Sequence, residues 1–361
     1  MNILLDKNLL LSPLTKLVSI TERRSIMPIL SNLLVDFSRT GITLYSTDLE
    51  VSAISHVDQT LDFDKRIVVH GRKFLEILKE MENEPVNLEI SDNTLTLKQR
   101  QTEFVLGLQD PQEFPDVREI SAIEEFSMSG EAFLTMLDKV NFAISSDETR
   151  YVLTGMYMIG SEGRITAVGT DGFRMSLYHA DVQGVKAFKG IIIPKRSVME
   201  AGRVVNSNDT VTCKIGEKHI QFGTGSVTVI SRLIEGGFPD YENVIPKTNT
   251  NIASLDKAKL LKGLRKVSTI ISKSEPIKVN FVGSTIEIEA ESEVGRAREV
   301  IEISYEGETL NLNFNIRFLL DVCTHIDGDA ITIKAPSTYG AVLFEDKNED
   351  NYKNIVMPIR V

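Results

Sequence analysis

The sequence predicts an α+β protein built from three copies of one domain, each with two helices packed on antiparallel sheet. The first observation is a lysine late in an apolar segment, which recurs as Lys16, Lys139 and Lys266 at spacings of 123 and 127 residues. The second is a Thr-Asp pair at 47–48, which returns 123 residues later at 170–171. A period of this length indicates repeated domains. The chain of 361 residues accommodates three of them at about 120 residues each.

The first helix of each copy is clearest in the third. Across residues 255–272, leucine, valine and isoleucine recur at helical spacing, at Leu260, Leu264, Val267 and Ile271. Lysines project from the opposite side of the same segment, so we expect one core-facing and one basic face. By analogy, Lys16 and Lys139 are expected to point outward from the first helices of the other copies. For a single helix a solvated face is the simpler interpretation, whereas recurrence in three copies favours a functional one.

The second helix of each copy begins with a cation, at Arg72, Lys195 and Arg317, which we align with one another. Positive charge at a helix start opposes the helix dipole. A functional requirement for positive charge at this position would explain why cations occur there.

The remaining segments alternate apolar and polar residues in short runs joined by turn residues, which predicts antiparallel hairpins. The clearest runs span residues 86–99, 211–231, 277–292 and 331–345. Proline-containing, turn-rich segments close the first two copies. We therefore place the domains at residues 1–121, 122–249 and 250–361.

Composition excludes several classes of protein. No run of 18 apolar residues is present, which argues against a membrane span, and the N-terminus does not read as a signal peptide. Cys213 and Cys323 are isolated, which favours the reducing cytoplasm. The five histidines are scattered, so neither zinc nor another metal or cofactor is expected. The net charge of −11 argues against binding of nucleic acid only if the charge is evenly distributed over the surface.

No catalytic constellation is recognisable. Asp171 and Arg174 in the segment GTDGFR could form an active-site loop, but no companion motif for a nucleophile, base or metal accompanies them. The sequence therefore favours a binding protein over an enzyme. An enzyme using these two residues stays an alternative, and Asp171→Asn would then abolish activity. A second alternative is a scaffold whose basic helices bind an acidic protein or RNA.

Six motifs resemble, in order, those of the bacterial sliding clamps, the β subunits of DNA polymerase III. They are RRSIMPILSNLLV, LYSTDLEVS, FAISSDETRYVLTGMY, GTDGFRMSLY, SRLIEGGFPDYENVIPK and NIVMPIRV, and the resemblance covers residues 1–361. It implies a head-to-tail homodimer that closes into a ring around double-stranded DNA and tethers the polymerase. Twelve helices spaced roughly 9 Å apart would enclose an opening of roughly 24 Å once helix thickness is subtracted.

The resemblance also implies three sets of functional residues. A cleft for short linear peptides of the replicative polymerase α subunit, the clamp loader, other polymerases and repair proteins would comprise Leu153, Thr170, Gly172, Phe173, Arg174, Met175, Pro239, Asn243, Val244, Ala341, Ile355, Met357, Pro358, Ile359, Arg360 and Val361. DNA contacts would come from Arg24, Arg72, Arg150, Tyr151, Lys195 and Arg196. The dimer contact would involve Lys73, Glu103, Phe104, Leu106, Ile270, Ile271, Arg296 and Arg298.

This chain departs from the family pattern at several of these positions. Phe173 stands where the family often has His, and Asn243 where it often has Arg, which would alter the peptide cleft. At the dimer contact, a glutamate replaces a basic residue and arginines replace glutamates. We therefore hypothesise a partial charge reversal, with Glu103 facing Arg296 or Arg298 across the interface.

Overall fold

The computed structural model describes residues 1–21, 27–272 and 275–360. These residues form six α-helices, which alternate in length between longer and shorter. The helices are α1 (Lys7–Val18), α2 (Gly71–Glu80), α3 (Gly130–Asn141), α4 (Lys195–Val204), α5 (Lys257–Val267) and α6 (Ile316–His325). The α+β class and the two helices per repeat are as the sequence predicts. No helix in the described ranges is long and apolar enough to cross a membrane.

The chain divides into two compact units, the first of which comprises residues 1–134 and 196–233. It contains a twelve-stranded antiparallel sheet in the order β1-β6-β7-β8-β5-β2-β3-β4-β16-β15-β14-β9. Its strands are β1 (Asn2–Asp6), β2 (Asn32–Ser38), β3 (Gly41–Thr47), β4 (Val51–Val57), β5 (Lys65–His70), β6 (Pro85–Ile90), β7 (Thr94–Gln99), β8 (Thr102–Gln109), β9 (Glu124–Ser129), β14 (Thr210–Ile215), β15 (His219–Gly223) and β16 (Val227–Arg232). Strand β4 of the first repeat pairs with β16 of the second, so one sheet runs through both repeats.

The second unit comprises residues 135–195 and 234–361 and contains two sheets. Nine strands follow the order β13-β10-β11-β12-β25-β24-β23-β17-β21, and four follow the order β20-β19-β18-β22. Their bounds are β10 (Gly155–Ser161), β11 (Arg164–Thr170), β12 (Arg174–Asp181), β13 (Phe188–Pro194), β17 (Asn251–Asp256), β18 (Pro276–Val282), β19 (Thr285–Ser292), β20 (Gly295–Glu302), β21 (Ser304–Glu306), β22 (Leu310–Asn315), β23 (Ala330–Ala335), β24 (Val342–Asp346) and β25 (Glu349–Val356). Strand β12 pairs with β25, which again carries a sheet from one repeat into the next.

The helices begin where strands end, and short polar side chains mark the change. Asp256 closes β17 and its carboxylate accepts the backbone N–H of Lys259 at 2.8 Å, which caps α5. The observed helix therefore starts at Lys257, two residues after the predicted start at 255. It also ends early, because the hydroxyls of Ser268 and Thr269 bond the carbonyls of the last helical turn at 2.8 Å. A 3₁₀ turn over Ser268–Ile270 follows.

The structure corrects the alignment of the second helices. His70 and Asn315 cap α2 and α6, and Pro194 occupies the same place before α4. Arg72 and Arg317 are therefore matched by Arg196, the second residue of α4, and not by Lys195. The correction is one residue and leaves the repeat intact.

Apolar packing of helices on sheet supplies the stability of each unit. In the third repeat, Leu260, Leu264 and Val267 of α5 lie in one buried cluster with strands β17 to β20 and with α6. Leu264 is fully buried, as the predicted apolar stripe requires. Each such side chain contributes about 1.5–3 kcal/mol of transfer free energy.

Candidate functional site

The loop between β11 and β12 is organised by its own side chains. The Asp171 carboxylate accepts the backbone N–H groups of Phe173 and Arg174 at 2.9 and 3.0 Å. The Thr170 hydroxyl donates to the Arg174 carbonyl at 2.6 Å and accepts from the N–H of Gly172 at 3.1 Å. Gly172 has a φ of 86°, which a side chain rarely adopts. The loop is therefore a preformed turn that presents Phe173, 55% exposed.

Arg174 fastens this loop to neighbouring helices. Its guanidinium pairs with Asp171 at 3.1 Å and Asp321 at 2.5 Å, and donates to the Phe142 carbonyl at 2.8 Å. It also lies over the Phe318 ring, 4.5 Å from the centroid. The side chain is only 12% exposed. These contacts give Asp171 and Arg174 a role in holding the loop.

Beside the loop lies an open cavity of about 130 Å³ with an almost entirely apolar lining. It is lined by Leu153, Thr170, Gly172, Phe173, Arg174, Met175, Phe238, Pro239, Tyr241, Val244, Ile355 and Met357. Ten of these were assigned to the cleft from the sequence. The structure thus brings together residues from β11, β12 and β25, from the 3₁₀ turn that ends at Leu153, and from the segments at 172–173, 238–244 and 357. The N–H of Met357 donates to the Phe173 carbonyl at 2.9 Å, which ties the chain after β25 to the loop.

Two aromatic residues of the cavity, Phe238 and Tyr241, were missed from the sequence. Phe238 stacks on Tyr157 with the ring centroids 4.7 Å apart, and Tyr241 lies 5.8 Å from the same ring. Burial, reinforced by the charge of Glu242, raises the pKa of Tyr241 to about 12. Tyr241 therefore stays neutral at physiological pH. Both residues belong to the motif FPDY at 238–241, of which only the proline was assigned to the cleft.

Other predicted cleft residues lie outside the cavity. The Asn243 amide donates to the Asp240 carboxylate at 2.6 Å. Ala341 packs against the apolar cluster behind the cavity. Pro358 accepts the Tyr339 hydroxyl at 2.6 Å through its carbonyl, and Arg360 lies 4.3 Å from the centroid of that ring. The N–H of Ile359 donates to the Asn313 carbonyl at 2.7 Å, and Val361 lies outside the described residues.

Two of the residues assigned to DNA, Lys195 and Arg196, bond to buried residues of the chain. The Lys195 ammonium donates to the Ile144 carbonyl at 2.9 Å, and burial is the main cause that lowers its pKa. Arg196 pairs with the buried carboxylate of Asp48 at 2.6 Å. Both cations therefore have structural roles in addition to any role toward DNA.

The other residues assigned to DNA are more open. Arg150 and Tyr151 lie on an exposed 3₁₀ turn, where Arg150 donates to the Asp171 carbonyl at 3.2 Å. Tyr151 is 57% exposed. Arg72 is half-buried in the first turn of α2. Arg24 lies outside the described residues.

The repeated lysines are not equivalent in environment, which corrects the expectation that they point outward. Lys139 is 1% exposed; it pairs with Asp327 at 2.9 Å and lies 4.4 Å from the centroid of the Tyr352 ring. Lys16 is half-buried, and only Lys266 is exposed. Helical periodicity places all three away from their own core, but it does not show what packs on the other side.

The first patch assigned to the dimer lies on β8 and α2. Phe104 is exposed and Leu106 half-buried on β8. Glu103 on the same strand pairs with Lys98 at 3.3 Å. Lys73 of α2 is exposed.

The second patch lies at β20 and just after α5. Ile270 and Ile271 are half-buried at the edge of the apolar cluster of the third repeat. Arg296 and Arg298 are exposed on β20. Arg298 pairs with Glu287 at 2.6 Å and with Glu289 at 3.3 Å.

Metal ligands do not cluster: across residues 1–21, 27–272 and 275–360, no group of three or more His, Cys, Asp or Glu side chains could hold an ion. The fold and the cavity together define a class of protein, a repeat-built binding protein with a preformed apolar pocket between the ends of strands β12 and β25 and the adjoining loops.

Comparison with known proteins gives the family. Residues 1–118, 127–240 and 242–360 match, in order, the N-terminal, central and C-terminal domains of the DNA polymerase III beta subunit. The chain belongs to this family. A relative from Caulobacter vibrioides named beta sliding clamp is 30% identical over 372 residues and covers 100% of both chains.

Solved structures agree with this assignment. The DNA polymerase III beta subunit of Pseudomonas aeruginosa superposes with a TM-score of 0.96 at 26% identity, covering 100% of each chain. A sliding clamp of the same organism, bound to griselimycin, gives a TM-score of 0.94 at 26% identity and the same coverage. The resemblance stated from the motifs is therefore confirmed.

Proposed function

We propose that two copies of this chain close head to tail into a ring that encircles double-stranded DNA and acts as a processivity factor. The observation that carries the proposal is the family match, which accounts for all three repeats over nearly the whole chain. Retention on DNA then comes from topology, so no base needs to be read. The domain limits of 1–121, 122–249 and 250–361 are part of this proposal.

The charge distribution supports a DNA-facing helical surface. Helix α5 carries five cations and no acidic residue, while the whole chain has a net charge of −11. Lysines on flexible stems suit sliding, because phosphate contacts position a duplex without specifying its sequence. We assign DNA contacts first to the exposed Arg150 and Tyr151 and to the exposed Lys259 and Lys262 of α5. Arg72 and Arg196 are second, since each is partly engaged or buried.

The apolar cavity is proposed as the site for short linear peptides of partner proteins. The partners are the replicative polymerase α subunit, the clamp loader, other polymerases and repair proteins. Methionine and aliphatic side chains make a surface that adapts to several sequences. Phe173 adds an exposed aromatic face where a peptide would enter. The subunit itself is proposed to be non-catalytic and to act in the cytoplasm.

Retention on circular and linear DNA tests the ring. The chain is loaded by its clamp loader onto nicked circular DNA, and the DNA is then cut once. A ring stays on the circle and is lost within seconds to minutes from the cut molecule. Equal retention on both would contradict the ring and favour a scaffold that binds nucleic acid by charge alone.

A further inference from the structure

Both junctions between repeats within the chain share one lysine contact. Lys16, the tenth residue of α1, donates to the carbonyl of Val204, the last residue of α4, at 2.9 Å. Lys139, the tenth residue of α3, donates to the carbonyl of His325, the last residue of α6, at 2.7 Å. A cation at the carbonyl end of a helix is favoured by the helix dipole. Each junction therefore places the first helix of one repeat against the end of the second helix of the next.

Within residues 1–21, 27–272 and 275–360, one lysine donor and one helix-end acceptor of this kind have no such partner. Lys266 is the tenth residue of α5, but among the described residues its ammonium donates to no carbonyl at the end of a helix; it is exposed and pairs with Glu299 at 2.6 Å. Glu80 is the last residue of α2, and no described side chain donates to its carbonyl. The neighbouring Met81 carbonyl does accept, from Lys7 within the same repeat.

The sheets leave a matching pair of open edges. At the internal junctions β4 pairs with β16, and β12 pairs with β25. The corresponding strands of the outer repeats are β20, which ends its sheet, and β8, which pairs with β5 only at its last two residues. Phe104, Val105 and Val300 expose apolar side chains along these edges. Open apolar edges are sites of strand addition.

The register of such a pairing can be read from the two internal ones. Equivalent residues of the repeats can be found by counting across the strands. The third residue of β2, β10 or β18 pairs with a residue of the next strand, and that residue pairs in turn with Ile54, Leu177 or Arg298. These three residues therefore hold the same position in their repeats. The same rule, counted from the third positions of β6, β14 and β23, gives the counterparts on the other side, which are Glu103, Thr228 and Lys353 respectively. The observed pairings are Ile54 with Thr228 and Leu177 with Lys353. The same register places Arg298 directly opposite Glu103.

We infer that the dimer closes through a third junction of this design, in which Lys266 of one copy caps α2 of the second copy at the Glu80 carbonyl. In the same junction Glu103 pairs with Arg298 across strands β8 and β20. The inference rests on the proposed head-to-tail dimer and specifies its register. It also assigns an interface role to a lysine that composition alone would assign to DNA.

The charges across the proposed strand pair support this register. In the first repeat, Lys98 of β7 lies opposite Glu103 of β8. In the third repeat, Glu289 of β19 lies between Lys278 of β18 and Arg298 of β20. Joining the two sheets at Glu103 and Arg298 makes one row whose charges alternate through five strands. Directly opposite residues share a face and interact, so this row favours one register. A shift by one residue would place Glu103 opposite Glu299 or uncharged Ala297.

Cysteine cross-linking of the full chain tests the register. The variant carrying Glu103→Cys and Arg298→Cys should form covalent dimers under mild oxidation, because directly opposite strand residues fit disulfide geometry. The matched variant with Glu103→Cys and Arg296→Cys places the thiols about 7–8 Å apart on the diagonal and should cross-link far less. The native Cys213 and Cys323 are buried and do not compete. Equal cross-linking of the two variants would overturn the register.

The lysine cap is tested through dimer dissociation, measured by dilution in an analytical ultracentrifuge. Lys266→Met should raise the dissociation constant about tenfold or more, since a ring contains the contact twice. Lys262→Met removes the same charge from an exposed position of α5 and should change it less than about twofold. If the wild type dimerises and Lys266→Met matches Lys262→Met, the cap is wrong while the ring stands. A wild type that stays monomeric at all concentrations would overturn both.

Discussion

Replacing Lys139 by methionine removes a buried ammonium and keeps most of the side-chain volume. In the structure this ammonium donates to the His325 carbonyl at 2.7 Å, pairs with Asp327 at 2.9 Å and faces the Tyr352 ring. Its own backbone carbonyl accepts the Ser176 hydroxyl, which the substitution leaves in place. The change therefore isolates the charged group.

The expected cost follows from these contacts. A charge-assisted hydrogen bond contributes about 1.5–3 kcal/mol, and a desolvated cation–π contact adds up to about 2 kcal/mol. Relief of the buried ammonium's desolvation offsets part of this. Asp327 is 78% exposed and loses little when its partner is removed, whereas Glu349, 3.8 Å from the ammonium, is 23% exposed and is left as a partly buried carboxylate. We expect a net loss of about 2–3 kcal/mol, or a fall in Tm of about 4–12 °C for a unit of this size.

Thermal and urea unfolding followed by circular dichroism measure this loss at fixed protein concentration, because dimerisation makes Tm concentration-dependent. The matched control is Lys16→Met, at the same helical position but half-buried, with an expected loss of about 0.5–1.5 kcal/mol. If the two variants lose equal stability, burial does not set the strength of the contact. A Lys139→Met variant as stable as the wild type would refute the structural role altogether.

Three further predictions concern the pocket and pH. Asp171→Ala frees the loop N–H groups and should weaken binding of the polymerase α subunit at least tenfold by surface plasmon resonance; unchanged affinity would contradict a preformed loop. Phe238→Ala should weaken the same binding similarly by removing the stacked wall, whereas Tyr241→Phe, which keeps the ring, should not. Burial, then the charges of neighbouring cations, lower the pKa of His179. Protonation thus favours the unfolded chain, and urea unfolding should show stability falling from pH 7 to pH 5 more steeply in the wild type than in His179→Gln.

Much of the fold was predictable because its signals are local. The lysine spacing revealed the repeat, and period-2 runs with turn residues revealed the hairpins. The helix over 255–272 was placed correctly by its apolar stripe, with ends wrong by two to five residues. Those ends depend on Asp256, Ser268 and Thr269, whose capping bonds form only once the strand and helix meet.

The environment of the lysines could not be predicted in the same way. Helical spacing reports which side of a helix faces its own sheet, and Lys139 lies on the other side as expected. What covers that side is α6, about 180 residues further along the chain. Similarly, Phe238 lines the pocket and stacks on Tyr157, which lies 81 positions earlier in the chain, and no local pattern records their stacking.

The exposure of Lys266 is explained by comparison with Lys16 and Lys139, its counterparts in the other two repeats. Lys16 and Lys139 are shielded because the repeat that receives them belongs to the same chain, whereas the repeat that would receive Lys266 is supplied by a second copy. An exposed lysine on a basic helix would ordinarily be assigned to DNA. Here its position in the repeat assigns it to closure of the ring, and Lys262 on the same helix remains available for phosphate. Loss of DNA retention by Lys266→Met would therefore report an opened ring, and raising the protein concentration should restore it by mass action.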